Sequence, residues 1–325
     1  MDNEINTIPV HEKQAHLRAI ELFNLRYRSG YLSKINEYCY VCTPYFRLRF
    51  LRAEQYDPRK AALRYCQSLN ELHKYYGDES LTRQLYISDL TKEEQKYLRG
   101  GMIQLLPSRD HVGRRILFAF FDFAHGANRS TFKIRMRIFV FLMYSVLAED
   151  ATTQKHGMAY VASVLPGDVS NGTNFASSDD VDRMKKIKDD PYNASLGRWM
   201  SQSLRDGLNG LPVKLSAVHL CLPNKRRYNV LLAVLLVILG KEIRSRSTSH
   251  SDAGSSIMQI MYSLQQFGIS DYPLTHSGVM KDKPLKDFIT SRKAIDNFRQ
   301  EQCKQQITED EETRMGALTT FTALD

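Results

Sequence analysis

From about Glu12 to Gly100 the apolar positions recur three and four residues apart, the period of helices with one buried face. Residues His16 to Tyr27 carry Leu17, Ile20, Leu22, Phe23 and Leu25 on a loose stripe. Pro44 stands near the start of a further helix, where its missing N–H costs little. Asp57-Pro58 opens another, with Asp57 as N-cap and Pro58 at the first helical position. That helix runs through Ala61, Ala62, Leu63, Tyr65, Cys66, Leu69 and Leu72 to Gly77. Thr91 and Glu94 have the spacing of a capping box and begin a short helix that stops at Gly100-Gly101.

Beyond Gly101 the pattern changes. Asp110-His111-Val112-Gly113 reads as a turn, and the run Ile116 to Phe121 as a strand buried on both faces. Met158 to Leu165, stopped by Pro166-Gly167, and Lys214 to Leu222 read the same way. Glu242 to Ser249 reads as a fourth, more polar strand. Between the strands lie helical patterns at Thr131 to Leu147, Asp180 to Leu208 and Ser255 to Phe267; the Gly-, Ser- and Asn-rich stretch Gly167 to Asp179 reads as a loop. Strands alternating with helices predict an α/β fold with a mainly parallel sheet and right-handed crossovers. Past Met280 the chain is charged. Leu285 to Gln306 reads as a surface helix, and the remainder, with Glu309-Asp310-Glu311-Glu312, as frayed or disordered. The expected organisation is a helical subdomain at 1–100, an α/β domain at 101–280 and a charged helix and tail at 281–325.

One segment fits neither pattern. Lys225-Arg226-Arg227 and Lys241 enclose the stretch Val230 to Leu239, which is aliphatic throughout and has no polar face. It is shorter than the roughly 20 apolar residues of a spanning helix. Such a segment is buried in protein, covered by lipid, or alternates between the two.

Composition narrows the partners. Lys and Arg exceed Asp and Glu by nine, which favours an acidic partner such as a membrane surface or nucleic acid. The basic clusters are Arg47/Arg49/Arg52, Arg114/Arg115, Arg129/Lys133/Arg135/Arg137, Lys225/Arg226/Arg227 and Lys241/Arg244/Arg246. Two of them bracket the aliphatic segment, which suits a helix lying against anionic headgroups. No zinc-finger, bZIP or RRM signature points to nucleic acid. The polar opening Met1-Asp2-Asn3-Glu4 lacks the basic and apolar regions of a secretory leader. With five scattered cysteines, this predicts a cytoplasmic protein that meets membranes transiently. The sequons at Asn128, Asn171 and Asn193 are then chance matches. Cys39 and Cys42 have redox or zinc spacing but no second pair, so no metal is expected. His219 stands in an apolar strand with no G-x-S-x-G elbow, and neither a P-loop nor a G-x-G-x-x-G is present. No catalytic residue and no cofactor are expected.

Four pieces in order resemble the CRAL-TRIO lipid-binding family. Phe46 to Ala61, reading F-R-L-R-F-L-R-A-E-Q-Y-D-P-R-K-A, resembles its opening helix pair, L-x-R-F-L-R-A-R-x-F-D-x-x-x-A. Asp110 to Ile116 resembles the D-x-x-G-R-P-V turn, and Leu211 to Pro223 the strand Y-P-x-R-L-x-x-I-H-I-I-N-x-P. Lys241 to His250 resembles K-x-x-x-R-I-x-x-H, with Arg246 and His250 in register. The match runs from about Pro44 to Gly278. It implies an α/β domain with an apolar lipid cavity, preceded by a helical subdomain. It also places the aliphatic segment at the family's gate helix, which swings at a membrane to pass one lipid. The sequence departs from the pattern at Glu54 (a basic residue in the family), Arg115 (a proline), Val213 (acidic in phosphatidylinositol binders) and Leu222 (an asparagine), and Val161-Ala162-Ser163 lacks the family's aspartate. The departures at Glu54 and Val213 predict no strong preference for phosphatidylinositol.

The expected function is to bind one hydrophobic ligand or phospholipid and exchange it at a membrane, without enzymatic chemistry. The alternative is an interaction adaptor that kept the fold and lost its lipid. The expected cavity walls are Phe118, Phe120, Tyr160, Ala162, Val218 and Leu220, closed by Val230, Val234, Val237 and Ile238; alternation along strands sends some of these to the opposite face. The expected membrane or headgroup contacts are Lys225, Arg226, Arg227, Lys241, Arg244 and Arg246.

Overall fold

The computed structural model of the chain describes residues 40–121, 129–146, 149–164, 202, 207–222, 233, 236, 240–250, 257–273, 275 and 281–321. Helix α1 (Pro44–Ala53) starts with Thr43 Oγ1 accepting from the Phe46 N–H and with proline in its first turn. It ends in an unusual bend. Gln55 and Tyr56 both have positive φ, 53° and 63°, a conformation that costs non-glycine residues about 1–2 kcal/mol each. The bend delivers the chain to Asp57, whose carboxylate caps α2 (Pro58–Tyr76) through the Arg59 and Lys60 amides. Helix α3 (Lys92–Arg99) carries the capping box: Thr91 accepts from the Glu94 amide, and Glu94 accepts from the Thr91 amide.

The sheet has five strands in the order of the chain: β1 (Ile103–Arg109), β2 (Arg115–Phe121), β3 (Met158–Val164), β4 (Leu215–Cys221) and β5 (Ser247–Ser249). Strands β2 to β5 are parallel and β1 is antiparallel to β2. This is a mixed α/β fold with a mostly parallel sheet. Strand β1 was not among the expected elements. Its Ile-Gln-Leu-Leu-Pro-Ser-Arg sequence is broken by Pro107, which an edge strand tolerates because one side needs no ladder bond. The expected fourth strand also differs: Gly240–Arg244 is a short helix, and only Ser247–Ser249 pair with β4.

Helix α4 (Arg129–Ser145) and α5 (Ala151–His156) join β2 to β3, α6 (Gly240–Arg244) precedes β5, and α7 (Ile257–Gln265) follows it. Helix α8 (Asp282–Phe321) continues well past the expected surface helix and through the acidic run. It is not merely a surface element either. Leu285, Ile289, Arg292 and Asp296 fall on one stripe and are buried. Arg292 donates to the carbonyls of Ser145 and Leu85, and Asp296 accepts from the Ile87 amide at 2.7 Å.

The sheet divides the apolar interior in two. On one face Leu117, Ala119, Met158, Ala162, Val218 and Leu220 join the core of α1, α2 and α4. On the other, Ile116, Phe118, Phe120, Ala159, Val161, Ala217 and Cys221 pack with Ile260 and Leu264 of α7 and with Ile269 and Tyr272. The segments 1–39, 165–201 and 223–232 lie outside the described residues, and with them the expected helix at His16 to Tyr27 and most of the one at Asp180 to Leu208.

Candidate functional site

The expected wall residues do not line one space. Phe118 and Phe120 point to the α7 side, where their rings are 4.8 Å apart and each meets Tyr272 edge-on, at 5.1 and 6.3 Å. That face is filled by its own aromatic packing. Tyr160, Ala162, Val218 and Leu220 belong to the opposite face. The cause is the two-residue period of a strand: even-numbered residues of β2 turn away from even-numbered residues of β3 and β4.

On the α4 face, Ala162, Val218 and Leu220 form a buried apolar floor. Tyr160 sits beside them and differs from them. Its ring meets Phe139 of α4 edge-on at 6.3 Å, and burial pushes its phenol up to about 12. Yet it keeps part of its surface accessible, and its hydroxyl has no hydrogen-bond partner among the described residues. Tyr160 thus stands half-buried at the edge of this cluster. Leu236, from the aliphatic segment, is helical, half-buried and packed on this same cluster, as is Ile243 of α6; Ala233, three residues before Leu236, is exposed. Val230, Val234, Val237 and Ile238 lie outside the described residues.

Above the floor stands a basic corner. Arg135 of α4 donates from Nε to the Tyr97 hydroxyl at 2.5 Å and lies 5.7 Å over the Tyr97 ring. It is close enough to Tyr160 for its charge to draw that phenol's pKa down against the larger effect of burial. No carboxylate pairs with Arg135 among the described residues.

Of the expected headgroup contacts, Lys241 and Arg244 are exposed on α6. Arg246 is not a free surface charge: it is half-buried and donates to the Leu215 carbonyl at 3.2 Å, tying β5 to β4. Lys225, Arg226 and Arg227 lie outside the described residues. Two departures from the family pattern gain an explanation. Glu54 is buried and bridges Arg64 Nε at 2.5 Å and Lys214 Nζ at 2.9 Å, joining the helical part to the foot of β4. Burial pushes its carboxyl up, but Arg64 and Lys214 together hold it below the usual carboxylate range. Val213 is wholly buried in the core.

On the α7 face lies a polar group that spacing alone did not reveal. His219 Nδ1 is 3.0 Å from His250 Nε2, and His250 Nδ1 is 2.5 Å from Ser263 Oγ. The three groups form one relay in which each ring donates or accepts according to its tautomer. His219 Nε2 is buried with no hydrogen-bond partner among the described residues. Burial, His250 and Arg114 push the His219 imidazole down to about 4, and burial lowers His250. Both rings pack on Phe267, so the pair is set among apolar groups. Nearby Asp110 is engaged by the Val112 and Arg114 amides and by the Arg114 side chain. The arrangement pins β4, the end of β5 and α7 together and presents no exposed nucleophile. Among the described residues no cluster of three His, Cys, Asp or Glu could hold a metal. The Cys66 and Cys221 thiols are pushed up to about 12 by burial. Cys39, the partner of Cys42 in its motif, lies outside the described residues. A polar cleft of about 160 Å³ opens between Tyr76, Arg83, Asp89 and Arg137, but its charges are already paired: Arg83 with Asp89 and Glu79, and Arg137 with Glu94.

No protein-family model matches the chain, and no curated protein matches it. Among solved structures it is similar to the crystal structure of Sfh5, with 11% identity and a TM-score of 0.41, over 76% of this chain and 82% of that one. A likeness this distant bears on neither ligand nor activity.

Proposed function

We propose that this protein holds one hydrophobic ligand or phospholipid against the α4 face of its sheet, under the aliphatic segment, and exchanges it at a membrane. The observation that carries the reading is the contrast between the two faces. One is packed solid by its own aromatics. The other has an apolar floor of Ala162, Val218 and Leu220, a deep but accessible Tyr160, and Leu236 of the aliphatic segment lying over the cluster. An apolar helix resting on an apolar floor can be replaced there by lipid chains with little loss, because both cover about the same area from water. The order of the four motifs from Phe46 to His250 agrees with this reading, as do the exposed cations Lys241 and Arg244 beside the segment. The role asks only for binding and release, and no bond is made or broken.

The test is to purify the protein, denature it and identify the organic extract by mass spectrometry. A lipid near one per chain is expected, and the same species should move between vesicles when the protein is added. An extract without lipid, from protein that also fails to load from vesicles, would overturn the reading in favour of an adaptor that kept only the fold.

A further inference from the structure

The geometry points to Arg135, with Tyr97 and Tyr160, as the seat of a phosphate group carried by an amphiphile whose chains lie along the α4 face. This inference rests on the proposed function and adds the polar end of its ligand.

Three observations converge. First, Arg135 is a half-buried cation with no carboxylate to neutralise it among the described residues. Its neighbour Arg137 is matched by Glu94, and Arg83, Arg114 and Arg292 each have a carboxylate of their own. Second, the guanidinium is held in place. Tyr97 accepts from Nε, which anchors the guanidinium through one donor while its two terminal nitrogens point elsewhere. A planar pair of nitrogens matches two oxygens of a phosphate, which a flexible lysine does less well. Third, Arg135 stands where polar and apolar surfaces meet. Phe132, Arg135 and Phe139 recur three and four apart along α4. Phe132 and Phe139 pack with the floor cluster, and Phe139 touches Tyr160. An amphiphile with chains on that floor therefore brings its polar end to Arg135, with the unpartnered Tyr160 hydroxyl available as a second donor.

The same phosphate chemistry could come from a lipid headgroup or from free phosphate, so the experiment has two arms. In the first, the full-length protein is incubated with vesicles holding equal amounts of dioleoyl phosphatidic acid and dioleoylglycerol. These share their chains and differ in the phosphate. The protein is reisolated and its lipid measured. Wild type should carry at least about tenfold more phosphatidic acid, the effect expected of charge-assisted hydrogen bonds. Arg135→Gln should bring the ratio near one while total lipid per chain and melting temperature stay close to wild type. Tyr160→Phe, which removes only the hydroxyl, should lower the ratio severalfold and provides the reading should Arg135→Gln fold poorly. In the second arm, inorganic phosphate alone is titrated into lipid-free protein by calorimetry, and no saturable binding is expected.

An unchanged ratio in Arg135→Gln, or in Tyr160→Phe if only that variant folds, overturns the inference. Equal loading of both lipids by wild type overturns it too, yet leaves the proposed function standing. Uptake of neither lipid overturns both. Arg135-dependent binding of free phosphate without a lipid preference overturns the lipid source and assigns the seat to a soluble ion.

Discussion

Glu54 shows how one side chain can read as a defect in a motif and prove to be a structural necessity. Between Arg64 and Lys214 it is a buried anion held by two cations. Removing one member of a buried ion pair leaves uncompensated charge, at about 3–5 kcal/mol. Glu54→Gln should therefore lower stability by several kcal/mol in denaturant melts. Its carboxyl titrates lower in the folded chain than in the unfolded one, so its contribution is complete above the unfolded value. It is lost as pH falls through the folded value, and the gap between wild type and Glu54→Gln should close in acid. His219 works the other way. Its folded pKa, about 4, lies below the ordinary 6.5, so between those values the unfolded chain binds the proton first. Stability should fall as pH drops from 6.5 towards 4, and His219→Gln should flatten that slope even if it starts from a lower stability. A wild-type profile flat across the window would exclude this pair as the source. The sequence showed that Phe118, Phe120, Tyr160, Ala162, Val218 and Leu220 are strand residues destined for burial. Alternation fixed which members of one strand share a face, but not how neighbouring strands align, and that alignment split the group in two.

Among the elements, helices with marked ends were the most legible. Pro44, Asp57-Pro58 and Thr91–Glu94 mark helix starts whose first amides need no distant partner, so their signals survive without tertiary context; the Thr43 cap came to light only in the folded chain. Strand β1 had no such mark, and its pairing with β2 is a contact that only the folded chain supplies. The strand expected at Glu242 to Ser249 exists only as the three residues Ser247–Ser249, because Gly240–Arg244 turn as a helix first. The aliphatic segment can be tested as an element. Ala233 is exposed, whereas Leu236 is half-buried and packs on the core of the α4 side. Ala233→Asp should leave the melting temperature within a few degrees of wild type and yet slow transfer of a fluorescent lipid between vesicles. Leu236→Asp should lower the melting temperature as well, because an unpaired charge is costly to bury. If Ala233→Asp transfers lipid at the wild-type rate, the segment's outer side takes no part in exchange.

For the whole molecule, the excess of nine positive charges matters where it is concentrated. Lys241 and Arg244 project from α6 beside the aliphatic segment, and each cation near an anionic bilayer contributes about 1 kcal/mol. Replacing both by Glu should weaken sedimentation with phosphatidylserine vesicles by at least tenfold, and raised salt should weaken wild type in the same direction. Equal sedimentation of the variant and wild type would move the membrane contact elsewhere. Among the described residues no helix is long and apolar enough to cross a membrane.

The docking of α8 has a consequence for how the chain is made. Arg292 and Asp296 supply the partners of the Leu85 and Ser145 carbonyls and of the Ile87 amide, more than 140 residues earlier. A ribosome releases those earlier groups long before their partners leave its exit tunnel. Throughout that interval the helical part and the end of α4 have only water, or a chaperone, to satisfy them. Completion of the fold is therefore tied to the completion of α8 rather than to the sheet, and nascent chains halted short of residue 292 should remain sensitive to protease at the 85–87 turn.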